Sequence, residues 1–271
     1  MQNLKKQLHH MSEEKTDSFK SFVERVLSDP ETADIDVTNK SNVMLAINYL
    51  NLRDEEHPGI TIKLRKEPYL EIVYVDTKEK QLEIQRQNSI KLFGDDSRDL
   101  KASLSDFKLD TLNRKKAYKL ATGIVDGKSD KNRGLYIHSK QFQVGKTYLA
   151  NAITNELIDR GIKGAFLFAP SFARVAKDFD NLETRIQVLN NSHLLVIDDL
   201  GAEYNSEWFF TEVLMPILQY RLTHRHLTII TSNYSIIELG EKYQQKISDK
   251  KYVERLLSRI YELTDEVNLD E

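Results

Sequence analysis

The sequence predicts an α/β domain, a parallel β-sheet flanked by helices, preceded by a small α+β domain. Three observations carry this. From Gly134 onward the apolar runs GLYIH, GAFLF, LLVID and LTIITSN alternate with segments of helical period, TYLANAITNELIDRG, PSFARVAKDFD with ETRIQVLN, and EWFFTEVLMPILQYRL. Such alternation builds a parallel sheet with helices on both faces. The tetrapeptide VGKT at 144–147 follows the first run and opens a helical pattern, and LLVIDDLGAE at 194–203 ends another. Ligands of such sheets bind beyond the carboxyl ends of the strands, where both stretches fall.

In the small domain, Phe19, Phe22, Val23, Val26 and Leu27 recur with helical spacing and make one apolar face. Asp29-Pro30 closes that helix, because the residue before a proline is pushed out of the α region. A second helix is expected over residues 41–50, with Val43, Ile47 and Leu50 buried. Ile60, Ile62 and Leu64, then Leu70, Ile72 and Tyr74, alternate with polar residues around a KEP turn and predict a hairpin. The expected boundaries are 1–92 for this domain, 93–133 for a linker and a helix leading onward, and 134–271 for the larger domain. In the joining helix Ala117, Leu120, Ala121 and Ile124 share a face, and Asp126-Gly127 ends it. The last helix, about 251–263, buries Val253, Leu256, Leu257 and Ile260, and the acidic tail DEVNLDE reads as a solvated end.

Composition excludes several classes. At 271 residues and 40% apolar content the chain supports two cores. It has no cysteine, so neither a disulfide framework nor a thiolate zinc site can form. No apolar run approaches the roughly 18 residues that span a bilayer. The polar start MQNLKKQLHHMSEEK is unlike a secretory signal, so a cytoplasmic location without membrane contact is expected. A net charge of −3 without a basic half argues against a dedicated duplex-DNA binder, and leaves room for weak single-strand contact.

The chemistry is expected at Val144, Gly145, Lys146, Thr147 and Tyr148, where a strand, a loop and a helix follow one another. Backbone N–H groups at a helix N-terminus favour phosphate. Lys146 reaches the β- and γ-phosphates of ATP in such a site, and the Thr147 hydroxyl holds Mg²⁺. Asp198, at the end of LLVID, is placed to share that metal. The loop departs from GxxxxGK[ST]: Lys140 stands at the first glycine position and Gln143 where a flexible residue lets the chain turn. With one glycine left, the loop must be rebuilt with L-residue geometry or lengthened.

From SLSDF at 103–107 to LTDEVNLD at 263–270, the motifs LLVIDDLGAEYNSEW, ILQYRL, TIITSN and SRIYELTDEV occur in an order that resembles the AAA+ helicase loaders of bacterial replication, the primosomal DnaI/DnaC family. The resemblance implies an AAA+ P-loop ATPase domain, with Asp199 orienting the attacking water, Asn233 as sensor 1, Arg221 as arginine finger and Arg259 as sensor 2. A finger acts in trans and contributes about 10³–10⁵ in rate, so the monomer would be a weak ATPase. The implied partners are a hexameric replicative DNA helicase gripped by the N-terminal domain, single-stranded DNA bound weakly, other primosome proteins, and further copies of the chain during loading. Family members carry a zinc-binding Cys/His cluster in the N-terminal domain; here His57 is the only nearby candidate, so no zinc is expected. The loop is also one residue longer and poorer in glycine than the family's.

Plainer readings stand beside these. Arg221 has a rival in Arg225 and an alternative as a surface residue paired with an acid. Arg259 fits an ordinary amphipathic helix, and Asn233 a strand-end turn. Glu203 fits a cap for the helix entering at 205–208, and the Trp208-Phe209-Phe210 run fits core or interface. The pairs His9/His10 and His224/His226 read as solvated side chains. Two other functions remain open: an IstB-like transposition helper ATPase, and a helicase-binding adaptor whose altered loop no longer turns over ATP.

Overall fold

The computed structural model describes residues 19–94, 97–176, 181–204 and 207–270. The chain divides into two compact units, Met1–Leu82 and Glu83–Glu271. Among the described residues, no helix is long and apolar enough to cross a membrane.

In the first unit a helix over residues 19–28 (α1) and α2 (Lys40–Arg53) pack with a hairpin of β1 (Ile60–Arg65) and β2 (Glu71–Asp76). Asn39 caps α2 by accepting from the Ser41 amide. The hairpin is antiparallel with Ile62 opposite Tyr74, as the alternation predicts. Val26, Val43, Ala46, Ile47, Tyr49, Leu50 and Ile62 form its core. Arg53, in the last turn of α2, pairs with Asp29 just beyond α1 at 2.8 Å. His57 makes a ring-nitrogen contact with the Leu52 carbonyl at 2.7 Å.

The division falls inside α3 (Lys78–Asn88), ahead of the boundary expected at residue 92, because the strand that follows, β3 (Ile90–Phe93), belongs to the large sheet. Within the stretch expected to be a linker and a helix leading onward, Ala102, Leu104 and Phe107 are buried in the second unit's core.

That unit is a six-stranded sheet in the order β3-β5-β6-β7-β4-β8, with β4 (Gly134–His138), β5 (Gly164–Phe168), β6 (Leu194–Leu200), β7 (Leu227–Ser232) and β8 (Thr264–Asn268). Every pairing is parallel. Side chains alternate between the faces. Leu135, Ile137, Val196 and Ile229 join the core that includes α4 (Leu112–Val125) and α5 (Lys146–Asp159). Tyr136, Leu195, Ile197 and Ile230 join the opposite core, with α6 (Ala169–Val175), α7 (Leu182–Asn191), α10 (Ile236–Gln244) and α11 (Lys250–Leu263). Also on that side, α8 (Glu207–Phe209) continues through a π-turn at Phe210–Leu214 into α9 (Met215–His224). Pro216 has no N–H to give the Glu212 carbonyl, a local reason for the helix to widen there.

The acidic tail is a correction. Thr264–Asn268 form β8, paired with β4 from Gly134 opposite Thr264 to His138 opposite Asn268. Val267 and Leu269 are buried, and Asp265 pairs with Arg133 at 2.8 Å.

Candidate nucleotide-binding site

The tips of β4, β6 and β7 build the site. After β4 the chain turns through residues 139–145 and enters α5 at Lys146. Gly145 has φ of 93° and Gln143 of 60°, so the sharp turn is made with one glycine and one L-residue in the left-handed region. Around this turn the loop is clamped. The Arg114 guanidinium of α4 donates to the Val144 carbonyl at 2.7 Å and lies over the Phe107 ring. Lys140 pairs with Glu238 at the start of α10 at 2.7 Å. Lys146 Nζ folds back to the Gln141 carbonyl at 3.3 Å. Phe142 is 80% exposed.

Asp198, 2% exposed, lies at the crossing of four segments. Its Oδ1 accepts from the Thr147 hydroxyl at 2.9 Å and the Thr231 hydroxyl at 2.6 Å; Oδ2 accepts from the Ser97 hydroxyl at 3.0 Å. Asp199 follows with φ of 58°, its amide bonded to Thr231 Oγ1 at 2.9 Å. Its carboxylate accepts from Asn233 Nδ2 at 2.9 Å, which brings the strand-end asparagine of β7 beside it. Burial, then the Asp198 charge, raises the Asp199 pKa. Burial lowers that of Lys146, against the charges of Asp199, Asp270 and Asp198.

Asp198 is a buried carboxylate whose hydrogen-bond partners here are hydroxyls. Together with Thr147 it offers hard oxygen donors of the kind Mg²⁺ takes. The donor set therefore fits that ion, and the N-terminus of α5 with Lys146 fits an anion.

Other expected residues lie elsewhere. Arg221 is fully buried, which corrects its reading as a finger reaching a neighbouring subunit. It donates to the carbonyls of Leu189 (2.6 Å), Ser192 (2.9 Å) and Leu227 (2.7 Å) and to Thr228 Oγ1 (2.8 Å). It thereby satisfies the end of α7 and ties it to β7. Burial pulls its pKa down to about 9, so it stays charged at neutral pH. Arg259 does not meet the phosphate loop: it donates to Gln219 of α9 at 2.6 Å and pairs with Glu262 at 2.9 Å. Tyr148 also turns away, its hydroxyl donating to the Ser103 carbonyl at 3.2 Å.

Glu203 is buried and accepts from the Gly201 amide at 2.7 Å and the Tyr243 hydroxyl at 2.8 Å; the helix entry it was expected to cap begins outside the described residues, at 205 and 206. Phe209 and Phe210 are core. His226 is half-buried, with Nδ1 2.8 Å from the Asn190 carbonyl, whereas His224 is exposed and stacks on Tyr220. His9, His10 and Asn205 lie outside the described residues. Sequence reasoning missed Ser97, Arg114, Thr231 and Asp270. Thr231 had a signal, since it stands in TIITSN between Ile230 and the proposed sensor; the others had none.

A profile of the IstB-like ATP binding proteins matches residues 136–271, from within β4 to the end of the chain. The chain belongs to this family. The chain is 32% identical over 146 residues to the replicative helicase loader DnaI of Bacillus subtilis (strain 168), covering 52% of this chain and 47% of that protein. It is 28% identical over 126 residues to the replicative helicase loader DnaC of Escherichia coli (strain K12), covering 45% and 51%. The chain thus spans about half the length of the curated relatives it matches. Among solved structures, a crystal structure of DnaI superposes with a TM-score of 0.61 at 32% identity, covering 68% of this chain and 98% of that one. The IstB-like unit is an AAA+ P-loop domain, and the chain resembles the DnaI/DnaC loaders.

Proposed function

We propose that this chain is an ATP-dependent loader of the replicative DNA helicase onto single-stranded DNA, with ATP and Mg²⁺ bound at the tips of β4, β6 and β7. The carrying observation is the Thr147–Asp198 hydrogen bond, which joins the phosphate loop to the acidic strand end in a chain similar to DnaI. Bound Mg²⁺, held by Thr147 and Asp198, would neutralise charge on the triphosphate. Lys146 supplies the second positive charge; burial lowers its pKa, and the charges of Asp199, Asp270 and Asp198 oppose that shift. Asn233 occupies one oxygen of Asp199 and leaves the other for the attacking water. Asn233 thereby links that water to the tip of β7, so the state of the γ-phosphate can bias the loader between two conformations.

With Arg221 buried, the cation acting in trans is assigned to Arg259. Its guanidinium is preset by Gln219 and Glu262 while its side chain keeps 29% of its exposure. Preorganised charge of this kind is what transition-state stabilisation needs. Arg225, exposed at the end of α9, is the rival, and Glu262 lines one concavity with it. The first unit is assigned the helicase grip, and its exposed Met44, Tyr69 and Tyr74 offer apolar contact. Self-association during loading, contact with other primosome proteins and weak single-strand binding complete the reading.

Co-purification with the cognate helicase, with and without ATP, tests this; no association under either condition would overturn it. A turnover-deficient adaptor is favoured by one observation, the left-handed Gln143 in the loop. Measurable nucleotide binding without turnover in the assembled state would select it. The transposition-helper reading has less support, since DnaI and DnaC loaders recur among both the sequence relatives and the structural neighbours.

A further inference from the structure

Beyond β8 the chain runs onto the phosphate loop. The Leu269 amide donates to the His138 carbonyl at 2.9 Å, extending the β4 ladder by one step. Asp270 is then held by its backbone from two sides: its amide donates to Asn268 Oδ1 at 2.8 Å, and its carbonyl accepts from Asn113 Nδ2 of α4 at 2.6 Å. The side chain points into the loop. Oδ1 accepts from the Ser139 hydroxyl and from the Gln141 amide at 3.3 Å; Oδ2 accepts from the Lys140 amide at 3.2 Å.

We infer that Asp270 is the positioning residue of the phosphate loop, fixing the turn that a glycine at position 140 would otherwise permit. The inference rests on the nucleotide-site reading above. A glycine-rich loop can bend sharply at no steric cost, whereas a run of side-chain-bearing residues must be held in its bend. Here every residue from Ser139 to Val144 carries a side chain, and the chain reaches a positive φ only at Gln143. A carboxylate that takes two successive amides makes charge-assisted bonds, stronger than neutral ones. It occupies the amides at the entrance of the loop and leaves those at the N-terminus of α5 for phosphate. The Asp270 pKa carries the mark of this arrangement: burial raises it, but the Ser139 hydroxyl and the two loop amides outweigh burial and bring it below the usual value.

A purely structural role, closing the sheet edge, predicts something different from a positioning role. The experiment compares wild type, Asp270→Asn, Ser139→Ala, Lys140→Gly/Asp270→Asn and Lys146→Ala as full-length chains. Affinity for a fluorescent ATP analogue is measured together with amide hydrogen exchange in the nucleotide-free protein. Asp270→Asn should bind about tenfold more weakly, as expected for the loss of charge-assisted bonds. The Lys140 and Gln141 amides should exchange faster while the Leu269 amide stays protected. Ser139→Ala should move affinity in the same direction by less, and glycine at 140 should recover much of the loss in the double variant. Folded Asp270→Asn with wild-type affinity overturns the inference. So does loss of Leu269 protection along with the loop, which would show strand detachment, and so does wild-type affinity in Ser139→Ala should Asp270→Asn fail to fold. Wild type binding no better than Lys146→Ala would instead overturn the nucleotide reading itself, and this inference with it.

Discussion

Thr147 and Asp198, 51 positions apart in the chain, share a hydrogen bond of 2.9 Å at the mouth of the sheet. The bond is a consequence of topology: β4 and β6 are both neighbours of β7, so the loop after one and the acid ending the other open onto the same edge. Ser97 and Thr231 complete the ring around Asp198. A carboxylate surrounded by neutral donors, with Lys146 beside it, is electrostatically prepared for a cation that brings its own anion.

Lys146→Ala should weaken ATP binding by at least about tenfold, because a hydrogen bond from a charged group is worth about 1.5–3 kcal/mol. Equilibrium titration with a fluorescent nucleotide reads this directly. Equal affinity in wild type and variant would show that the loop no longer serves phosphate.

Arg221→Ala should destabilise the second unit by at least about 3 kcal/mol, since it opens a cavity and leaves several buried carbonyls without a donor. Arg259→Ala should change stability by less than about 1 kcal/mol, its partners being partly exposed. Turnover in the assembled state should instead fall by about 10³-fold or more in Arg259→Ala. Denaturant melts and an ATPase assay of the two variants separate the roles. Mixing Arg259→Ala with Lys146→Ala protein should restore part of the turnover by pairing intact pockets with intact fingers; recovery with Arg225→Ala in its place would move the role to Arg225.

The central strands were legible because each is an unbroken apolar run, the pattern of a strand covered on both faces. The two edge strands were not. β3 is four residues beside a polar stretch, and β8 hides two buried positions among acids that pair with Arg133 and others. In the site, Lys146, Thr147 and Asp198 could be read because their spacing to a strand is local. Ser97 and Asp270 could not, as their contacts with Asp198 and Ser139 span 101 and 131 positions. Arg221 was misread for a related reason: an arginine that satisfies a helix end from inside the core looks, in sequence, like one on a surface helix.

Glu238 gives the account a pH dependence. The hydrogen bond from Lys140, followed by those from Ser235, lowers its pKa to about 2. Its folded value lies below the unfolded one, so its contribution to stability is present above the ordinary carboxyl value of 4.5 and is lost as pH falls through about 2. Glu238→Gln should therefore lower the melting temperature at neutral pH, with the difference shrinking to nothing near pH 2. A difference that persists at the acid end would mean the residue acts through packing.

Gln143→Gly should raise stability by about 1 kcal/mol, because a non-glycine residue in the left-handed region stores strain of that order. The melting temperature should rise while the loop still binds nucleotide. A lower melting temperature would show that the Gln143 side chain contributes more than its backbone costs.

The most direct test is loading itself. Full-length chain, the cognate hexameric helicase and circular single-stranded DNA are mixed with or without ATP, and helicase retained on the DNA is measured for wild type and Lys146→Ala. Wild type should associate with the helicase and deliver it in an ATP-dependent way, and Lys146→Ala should lose the ATP response while still associating. Absence of any association, or delivery indifferent both to ATP and to Lys146, would contradict the loader function.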